Sequence, residues 1–271
     1  MMLSDAHKNL VDLGLATRFD LPFDADALAD AERKLKDGPG DYHLWCARGI
    51  LCMRKQPEDA VESFSRALQL RPLSANAAYN RGRVLTVSGR YAQAAADLSL
   101  ATSLDADDPW KWHFYGTALY FLNRFEDACG AFYRALDGQR LEGADLIPFE
   151  LDWIWNCLAK LGDEQGLRDC VKDINADVPI DPREITFKER VLVYAGCQTP
   201  EEMMAKVPAD NFQRICNQMF CVSNYYYYLE KDYKKAWGAL RAVLDTEAGS
   251  DTWGYKMAVR ERDERRARAG A

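Results

Sequence analysis

Small and large apolar residues recur in this chain at an interval of 34 residues, and three successive copies keep the interval. The recurring positions form a column of alanine, a column of large apolar residues and a column of glycine whose first interval is 33: Ala60, Ala94 and Ala128; Phe64, Leu98 and Phe132; Gly49, Gly82 and Gly116. This period is typical of helix hairpins that stack side by side, because each hairpin buries its apolar face only against its neighbours. Glycine and alanine let two helices approach closely, and the large residues fill the space between them. The pattern therefore predicts an all-α array that presents a binding groove.

Each copy also follows a longer pattern, W-x2-L-G-x2-Y and then A-x3-F. Its positions are filled, copy by copy, as follows: Trp45, Arg48, Gly49, Cys52, Ala60, Phe64 and Pro72; Ala78, Arg81, Gly82, Leu85, Ala94 and Leu98; Trp112, Tyr115, Gly116, Leu119, Ala128 and Phe132. The three matches resemble the tetratricopeptide repeat (TPR) over residues 41–139. The resemblance implies a right-handed α-solenoid of antiparallel helix hairpins. It also implies a non-enzymatic scaffold or adaptor that binds a peptide or helix of a partner protein in a concave groove.

We expect four segments along the chain. Residues 1–40 form an N-terminal capping helix and half repeat, and residues 41–139 form the three repeats. Residues 140–208 form divergent helical hairpins, and residues 209–271 form a further TPR-like repeat with a capping helix. A single core rarely exceeds roughly 250 residues, whereas a repeat array grows along one axis, so a length of 271 residues suits an array.

Two expectations concern charged side chains. Arg48 and Arg81 occupy a column that is usually apolar, so their stems should pack while their guanidinium groups reach solvent. The last helix, from Asp251 towards Ala269, ends in a run that is charged on every side. Such a run predicts a capping helix that frays into solvent.

Charge and hydropathy argue against two classes of partner. The net charge is −7 and no long basic stripe precedes the C-terminal end, which disfavours nucleic-acid binding. No apolar run reaches the ~18 residues that a membrane span needs, so we expect no membrane insertion. The start of the chain has no apolar core of signal-peptide length, and we therefore expect a cytoplasmic protein.

The sequence also contains no motif that indicates catalysis or metal binding. No phosphate loop, nucleophile elbow, metalloprotease helix motif or dinucleotide glycine signature occurs. The eight cysteines form no C-x-x-C pair and there are three histidines, which argues against a metal site or a cofactor. We expect free and mostly packed thiols, and a protein that is not an enzyme.

The resemblance places the binding face on the first helix of each hairpin. The candidate residues on this face in the second and third repeats are Tyr79, Asn80, Arg83, Trp110, His113, Thr117 and Tyr120. Aromatic residues and arginine dominate binding hot spots, so this stripe suits a peptide with an apolar side chain and an acid. The alternative is that Tyr79, Trp110 and Tyr120 pack on the helices of adjoining repeats.

Two clusters in the second half extend the candidate surface. Asp152 and Asn156 share one side of a helix and continue the groove in one interpretation, whereas the tryptophans beside them are core in the other. Four consecutive tyrosines, 225–228, wrap a whole helical turn, so at least one phenol is exposed or hydrogen-bonded across the groove. We assign Tyr225 and Tyr228 to the inner face. This half also suggests alternative functions, namely self-association as a homodimer or the sensing of a small molecule.

Overall fold

The computed structural model describes residues 24–141, 148–175, 177 and 185–269. The chain divides into two compact units, Met1–Ala144 and Asp145–Ala271. All regular structure in the described residues is helical, which confirms the predicted all-α class and its hairpin repeats. Among the helices of these residues, none combines the length and the apolar character that crossing a bilayer requires. The finer division into four segments stays a prediction, and the expected helix over residues 1–22 lies outside the described residues.

The described residues of the first unit form one helix followed by three helix hairpins. The helices are α1 (Ala25–Asp37), α2 (Tyr42–Cys52), α3 (Pro57–Leu70), α4 (Ala75–Val87), α5 (Tyr91–Leu104), α6 (Pro109–Phe121) and α7 (Phe125–Leu141). The hairpins are α2–α3, α4–α5 and α6–α7, and each packs on the next. Helix α1 packs on α2, as expected for the second half of an incomplete repeat.

Short polar residues fix where the first helix of each hairpin begins. The side chains of Asp41, Ser74 and Asp108 accept hydrogen bonds from backbone N–H groups of the first turns of α2, α4 and α6. These caps satisfy donors that have no partner within the helix. Gly89 and Asn123 adopt positive φ angles of 76° and 62° in the turns of the second and third hairpins. The hairpin boundaries are therefore encoded locally.

The glycine column is explained by the large residue of the following helix. A Cβ atom added to Gly82 would lie 2.6 Å from Leu98, and one added to Gly116 would lie 2.9 Å from Phe132. Both distances are shorter than real Cβ atoms tolerate. The glycines therefore allow the two helices of a hairpin to close on a single large side chain, as the sequence predicts.

The arginines of the usually apolar column do not simply extend into solvent. Arg81 donates from Nε and Nη2 to the two carboxylate oxygens of Asp97 at 2.7 and 2.6 Å, and from Nη1 to Ser65 at 3.0 Å. Arg48 donates to Ser63 at 2.7 Å. The expectation of solvent-directed guanidinium groups is wrong because polar partners on adjacent helices hold both side chains.

The second unit has shorter and less regular helices. They are α8 (Pro148–Leu161), α9 (Glu164–Asp169), α10 (Ile185–Tyr194), α11 (Pro200–Met204), α12 (Phe212–Asn224), a π-helical turn (Tyr225–Leu229), α13 (Tyr233–Leu244), a 3-10 turn (Glu247–Gly249) and α14 (Trp253–Ala269). Helices α12 and α13 form the clearest pair. Helix α9 has only six residues, and α12 passes into the π-helical turn at Tyr225.

The expectation that the charged end of the last helix lies in solvent is wrong for two of its side chains. Glu261 and Arg265 are each only 2% exposed. The sequence shows charges on every side of α14, but it does not show that partners on other helices neutralise them. Their contacts are described below with the second unit.

The cysteines match the expectation from composition. All eight are free thiols, and six of them are buried. Burial raises the pKa of Cys46 to about 11 and that of Cys221 to about 12, which keeps both thiols protonated. These residues behave as small apolar side chains.

Candidate interaction surface

The second and third hairpins bring three side chains together in what we call the aromatic–arginine cluster, Tyr79, Arg83 and Phe114. Tyr79 and Arg83 lie one turn apart on α4, and Phe114 lies on α6. The rings of Tyr79 and Phe114 meet edge to face with centroids 5.9 Å apart. The guanidinium carbon of Arg83 lies 5.2 Å from each ring centroid. Such contacts are attractive because each ring presents negative charge density on its face.

Trp110 and His113 continue the stripe along α6. Their ring centroids lie 6.0 Å apart, and the His113 ring lies 5.2 Å from Phe114. Trp110 is partly exposed, whereas His113 is 5% exposed. Trp110 therefore forms the accessible edge of a group of rings whose other members lie deeper.

A buried lysine adds positive charge beside Tyr79. The Lys111 side chain is 2% exposed and donates to Asp105 at 2.8 Å and to Asp108. Its Nζ atom lies 5.3 Å from the centroid of the Tyr79 ring. Burial lowers the pKa of Arg83 and raises that of Tyr79. The sequence prediction missed Lys111, although Asp105 and Asp108 at six and three residues before it indicate such a pairing.

The polar residues of the predicted stripe are satisfied by their own helices. The side-chain amide of Asn80 donates to the Asn76 carbonyl at 2.9 Å, and the Thr117 hydroxyl donates to the His113 carbonyl at 3.0 Å. Asn156 in the second unit repeats the arrangement with the Asp152 carbonyl at 2.7 Å. Side chains that bond four residues back in this way can be buried at little cost.

Burial separates the predicted surface residues into two groups. Nine of the eleven are buried, with exposed fractions between 0% and 8%: Tyr79, Asn80, Arg83, His113, Thr117, Tyr120, Asp152, Asn156 and Tyr228. Trp110 and Tyr225 are partly exposed. Nine of the candidate residues are therefore interior side chains, and Trp110 and Tyr225 are the two that offer partly exposed rings. Their role in binding stays a prediction.

In the second unit, Asp152 is bound by a neighbouring helix. Arg190 of α10 donates from Nη2 to its Oδ2 atom at 2.9 Å. Burial raises the pKa of Asp152, and the positive charge of Arg190 opposes that effect. The ring of Trp155 stacks on Tyr194 with centroids 3.8 Å apart, so this tryptophan is core. Asp152 thus takes part in interior packing in the second unit.

The four tyrosines are directed to separate partners by the π-helical turn. The hydroxyl groups of Tyr225, Tyr226 and Tyr228 donate to Glu230 at 2.9 Å, Glu201 at 2.8 Å and Glu261 at 2.9 Å, respectively. Burial raises the pKa of Tyr225 and of Tyr226 to about 12, so both phenols stay protonated donors. The wider π-helical winding places Tyr225 and Tyr228 differently from the α-helix that we predicted.

No protein-family model matches the chain, and no curated protein sequence matches it. Solved structures do match. PilW, described as a widely conserved type IV pilus biogenesis factor, is 15% identical, and the match covers 95% of this chain and all of PilW with a TM-score of 0.53. PilF of Pseudomonas aeruginosa is also 15% identical, over 95% of this chain and 98% of PilF, with a TM-score of 0.52. A MamA RS-1 double mutant is 19% identical over 62% of this chain and 92% of its own, with a TM-score of 0.50.

These neighbours are TPR proteins, and the match supports a TPR-like repeat fold. The chain has a TPR-type repeat fold. At this level of identity the likeness concerns the fold alone. In TPR terms, α2, α4 and α6 are the first helices of the repeats, and the aromatic–arginine cluster lies on two successive first helices.

Proposed function

We propose that this TPR-type protein is a protein-interaction scaffold whose first unit holds a segment of a partner protein. The observation that carries the proposal is the partly exposed ring of Trp110, which packs against the buried aromatic–arginine cluster. The cluster combines edge-to-face rings with a guanidinium group on the first helices of two successive repeats and supports Trp110 from below. Rigid aromatic side chains and arginine supply much of the energy of protein interfaces.

The partner segment that suits this surface carries an apolar side chain and an acidic group. Trp110 makes the first contact, because it is the member of the stripe in this unit that is partly exposed. Arg83 supplies positive charge behind the rings, and a carboxylate gains from it, whereas the charge of Lys111 is compensated by Asp105 and Asp108. The deeper residues of the stripe, including Asn80, Thr117 and Tyr120, hold the helices that present Trp110. The proposal assigns the protein no catalytic step and a place in the cytoplasm.

The test compares two aromatic substitutions in the same hairpin. Trp110→Ala removes the accessible ring on α6, and Tyr133→Ala removes an aromatic ring on α7 that is 41% exposed. Both proteins and the wild type are used as bait in lysate of the source cells, and captured proteins are quantified by mass spectrometry. Circular dichroism verifies that helical content is equal in all three.

We expect Trp110→Ala to lose partner proteins that Tyr133→Ala retains. Peptides from the retained partners are then measured against the wild type and both variants by fluorescence anisotropy. Equal capture by Trp110→Ala and wild type, at equal helical content, contradicts the proposal.

A further inference from the structure

The C-terminal helix α14 is attached to the second unit through buried charges. Its Glu261 accepts a hydrogen bond from the Tyr228 hydroxyl at 2.9 Å and forms an ion pair with Lys160 of α8. Lys160 also contacts Glu264 at 2.6 Å. The side chains of Lys160 and Glu261 are each 2% exposed. Lys160 of α8 thus forms ion pairs with two glutamates of α14.

Arg265, one turn further along α14, is held by a second set of groups. It donates from Nη1 to the Ser223 hydroxyl at 2.8 Å and from Nη2 to the side-chain oxygen of Asn224 at 2.9 Å. Its guanidinium carbon lies 4.0 Å from the centroid of the Tyr227 ring. It also donates from Nε to Glu261 at 2.9 Å. Glu261 therefore occupies one polar site beside Lys160, and Arg265, one turn later, occupies a second beside Ser223 and Asn224.

We call these two sites the acceptor surface, formed by Lys160, Ser223, Asn224, Tyr227 and Tyr228. Contacts that do not involve α14 hold several of its members in place. The Asn224 amide donates to Asn156 at 2.7 Å, and the Ser223 hydroxyl donates to the Ala236 carbonyl at 2.9 Å. The rings of Tyr227 and Tyr233 lie 5.1 Å apart. Ser223, Asn224 and Tyr227 are thus held independently of the helix that covers them, whereas Lys160 and the Tyr228 hydroxyl bond to α14 itself.

The apolar part of the attachment is small. Met257 and Ala258 are the buried apolar side chains among the described residues of α14. Ions that leave a buried pair regain their hydration, which offsets much of the attraction they lose. Release of α14 therefore costs less than release of a helix that buries an apolar face of the same length. The connection that has to rearrange on the N-terminal side of α14 is the segment with the 3-10 turn.

We propose that the acceptor surface also binds α14 of a second copy of this chain, so that two copies exchange their C-terminal helices. The occupant is a second copy because the complementarity is to this sequence, a glutamate and an arginine four residues apart. Exchange of an identical element reproduces every contact of the single chain and is a low-cost route to a dimer. This inference concerns the second unit and is independent of the proposed binding of a partner by the first unit.

Two charge-reversal variants test the exchange. Lys160→Glu changes the acceptor surface and leaves α14 intact, whereas Glu261→Lys changes α14 and leaves the acceptor surface intact. In each variant alone, like charges face each other. In a mixed dimer, the carboxylate that the first change introduces faces the ammonium group that the second introduces, and the other acceptor surface receives an unaltered helix. We expect light scattering to show a species of twice the monomer mass in the mixture, and this species should contain the two variants in equal amounts. Each variant alone should stay monomeric.

The double variant Lys160→Glu with Glu261→Lys in one chain is the matched control. It restores opposite charges within a single copy, so it shows whether the reversed pair fits the site. If this control folds with the helical content of the wild type and the mixture still stays monomeric, the exchange is refuted.

A second experiment applies if the reversed pair does not fold. Wild-type chains carrying donor and acceptor dyes at the exposed Cys197 are refolded together at high concentration and separated by size. Energy transfer in a fraction of doubled mass supports the exchange. A product that is monomeric at every concentration refutes it.

Discussion

The contacts that stabilise the interior of the first unit differ in kind from those inside the second. In the first unit, a glycine faces a large apolar residue at a nearly constant distance along the chain, as Gly82 faces Leu98 and Gly116 faces Phe132. In the second unit, the contacting polar residues are 101 positions apart for Lys160 and Glu261, and 42 for Ser223 and Arg265. A short repeated interval is visible in a sequence, and a single long one is not.

This difference also changes how each unit responds to substitution. Apolar packing between Gly116 and Phe132 depends on volume, so it responds to the size of the side chain. The contacts among Lys160, Glu261 and Arg265 depend on charge, so loss of one partner leaves another charge buried without compensation. The second unit should therefore be more sensitive to removal of a charge, and the first to addition of a methyl group.

The largest effect is expected from Glu261→Ala. This change removes the partner of Lys160, Arg265 and the Tyr228 hydroxyl together, and we expect a loss of about 3–5 kcal/mol in the free energy of unfolding. Denaturant unfolding followed by circular dichroism measures it. Hydrogen exchange in α12 and α14 locates the loss in the second unit.

Asp263→Ala is the matched control for that change. Asp263 lies on the same helix, but its side chain is 60% exposed and pairs with Arg262 at the surface. Exposed pairs contribute little to stability, so this variant should unfold like the wild type. A similar loss in both variants would show that burial of the charge is not the cause.

A smaller loss of stability is expected in the first unit from Gly116→Ala, and its cause is an added group rather than a removed one. The new methyl group would lie 2.9 Å from Phe132, and overpacking of this kind costs about 1–3 kcal/mol. Gly130→Ala is the control, because no atom lies within 4 Å of the added Cβ. Alanine favours a helix over glycine by roughly 1 kcal/mol, so Gly130→Ala should raise the midpoint of thermal unfolding while Gly116→Ala lowers it. A rise in both variants contradicts the close approach.

Acid should weaken the second unit through the same glutamates. Burial alone would raise the pKa of Glu261 and of Glu264. The charges and hydrogen bonds of Lys160, joined by Arg265 at Glu261 and by Arg260 at Glu264, together outweigh burial, so both pKa values lie below the ordinary 4.5. The unfolded chain then binds protons more readily than the folded one. The stabilisation is complete above pH 4.5 and decreases as the pH falls through the lower values of the folded state.

This effect is measured as the slope of the unfolding free energy against pH in the wild type and in Glu261→Ala. We expect the variant to have the shallower slope below pH 4.5, because it lacks one of the two perturbed carboxylates. Identical slopes would show that Glu261 does not contribute to acid unfolding.

The sequence predicts the hairpins because their determinants are local. Gly49, Ala60 and Phe64 lie within one repeat, and the caps lie at the helix that they begin. The packing of α14 depends on residues far away in the sequence, because nothing near Glu261 indicates that Lys160 on α8 will pair with it. The same reasoning explains Asp152, which the sequence leaves open to the groove and which Arg190 of α10 binds instead.

The sequence indicates which candidate residues share one side of a helix, but not how deeply they are buried. Helical spacing correctly places Tyr79 and Arg83 on one side of α4, where both contact Phe114 of the next repeat. Spacing within a helix cannot show how closely the neighbouring helix approaches. The contact of Tyr79 with Phe114 agrees with the alternative that this tyrosine packs on an adjoining repeat.

The smallest effect is expected from Tyr79→Phe in the first unit. The hydroxyl of Tyr79 is buried and makes no hydrogen bond of good geometry with a described residue, although Arg83 lies close enough to oppose the effect of burial on its pKa. A buried polar group without a partner is destabilising, so its removal should raise the free energy of unfolding by about 1 kcal/mol or less. The ring, which contacts Phe114 and Arg83, is retained, and Tyr133→Phe serves as the exposed control. A loss of stability in denaturant unfolding would mean that the hydroxyl is bound in solution, and the deep side of the aromatic–arginine cluster would then be a polar site as well as an apolar one.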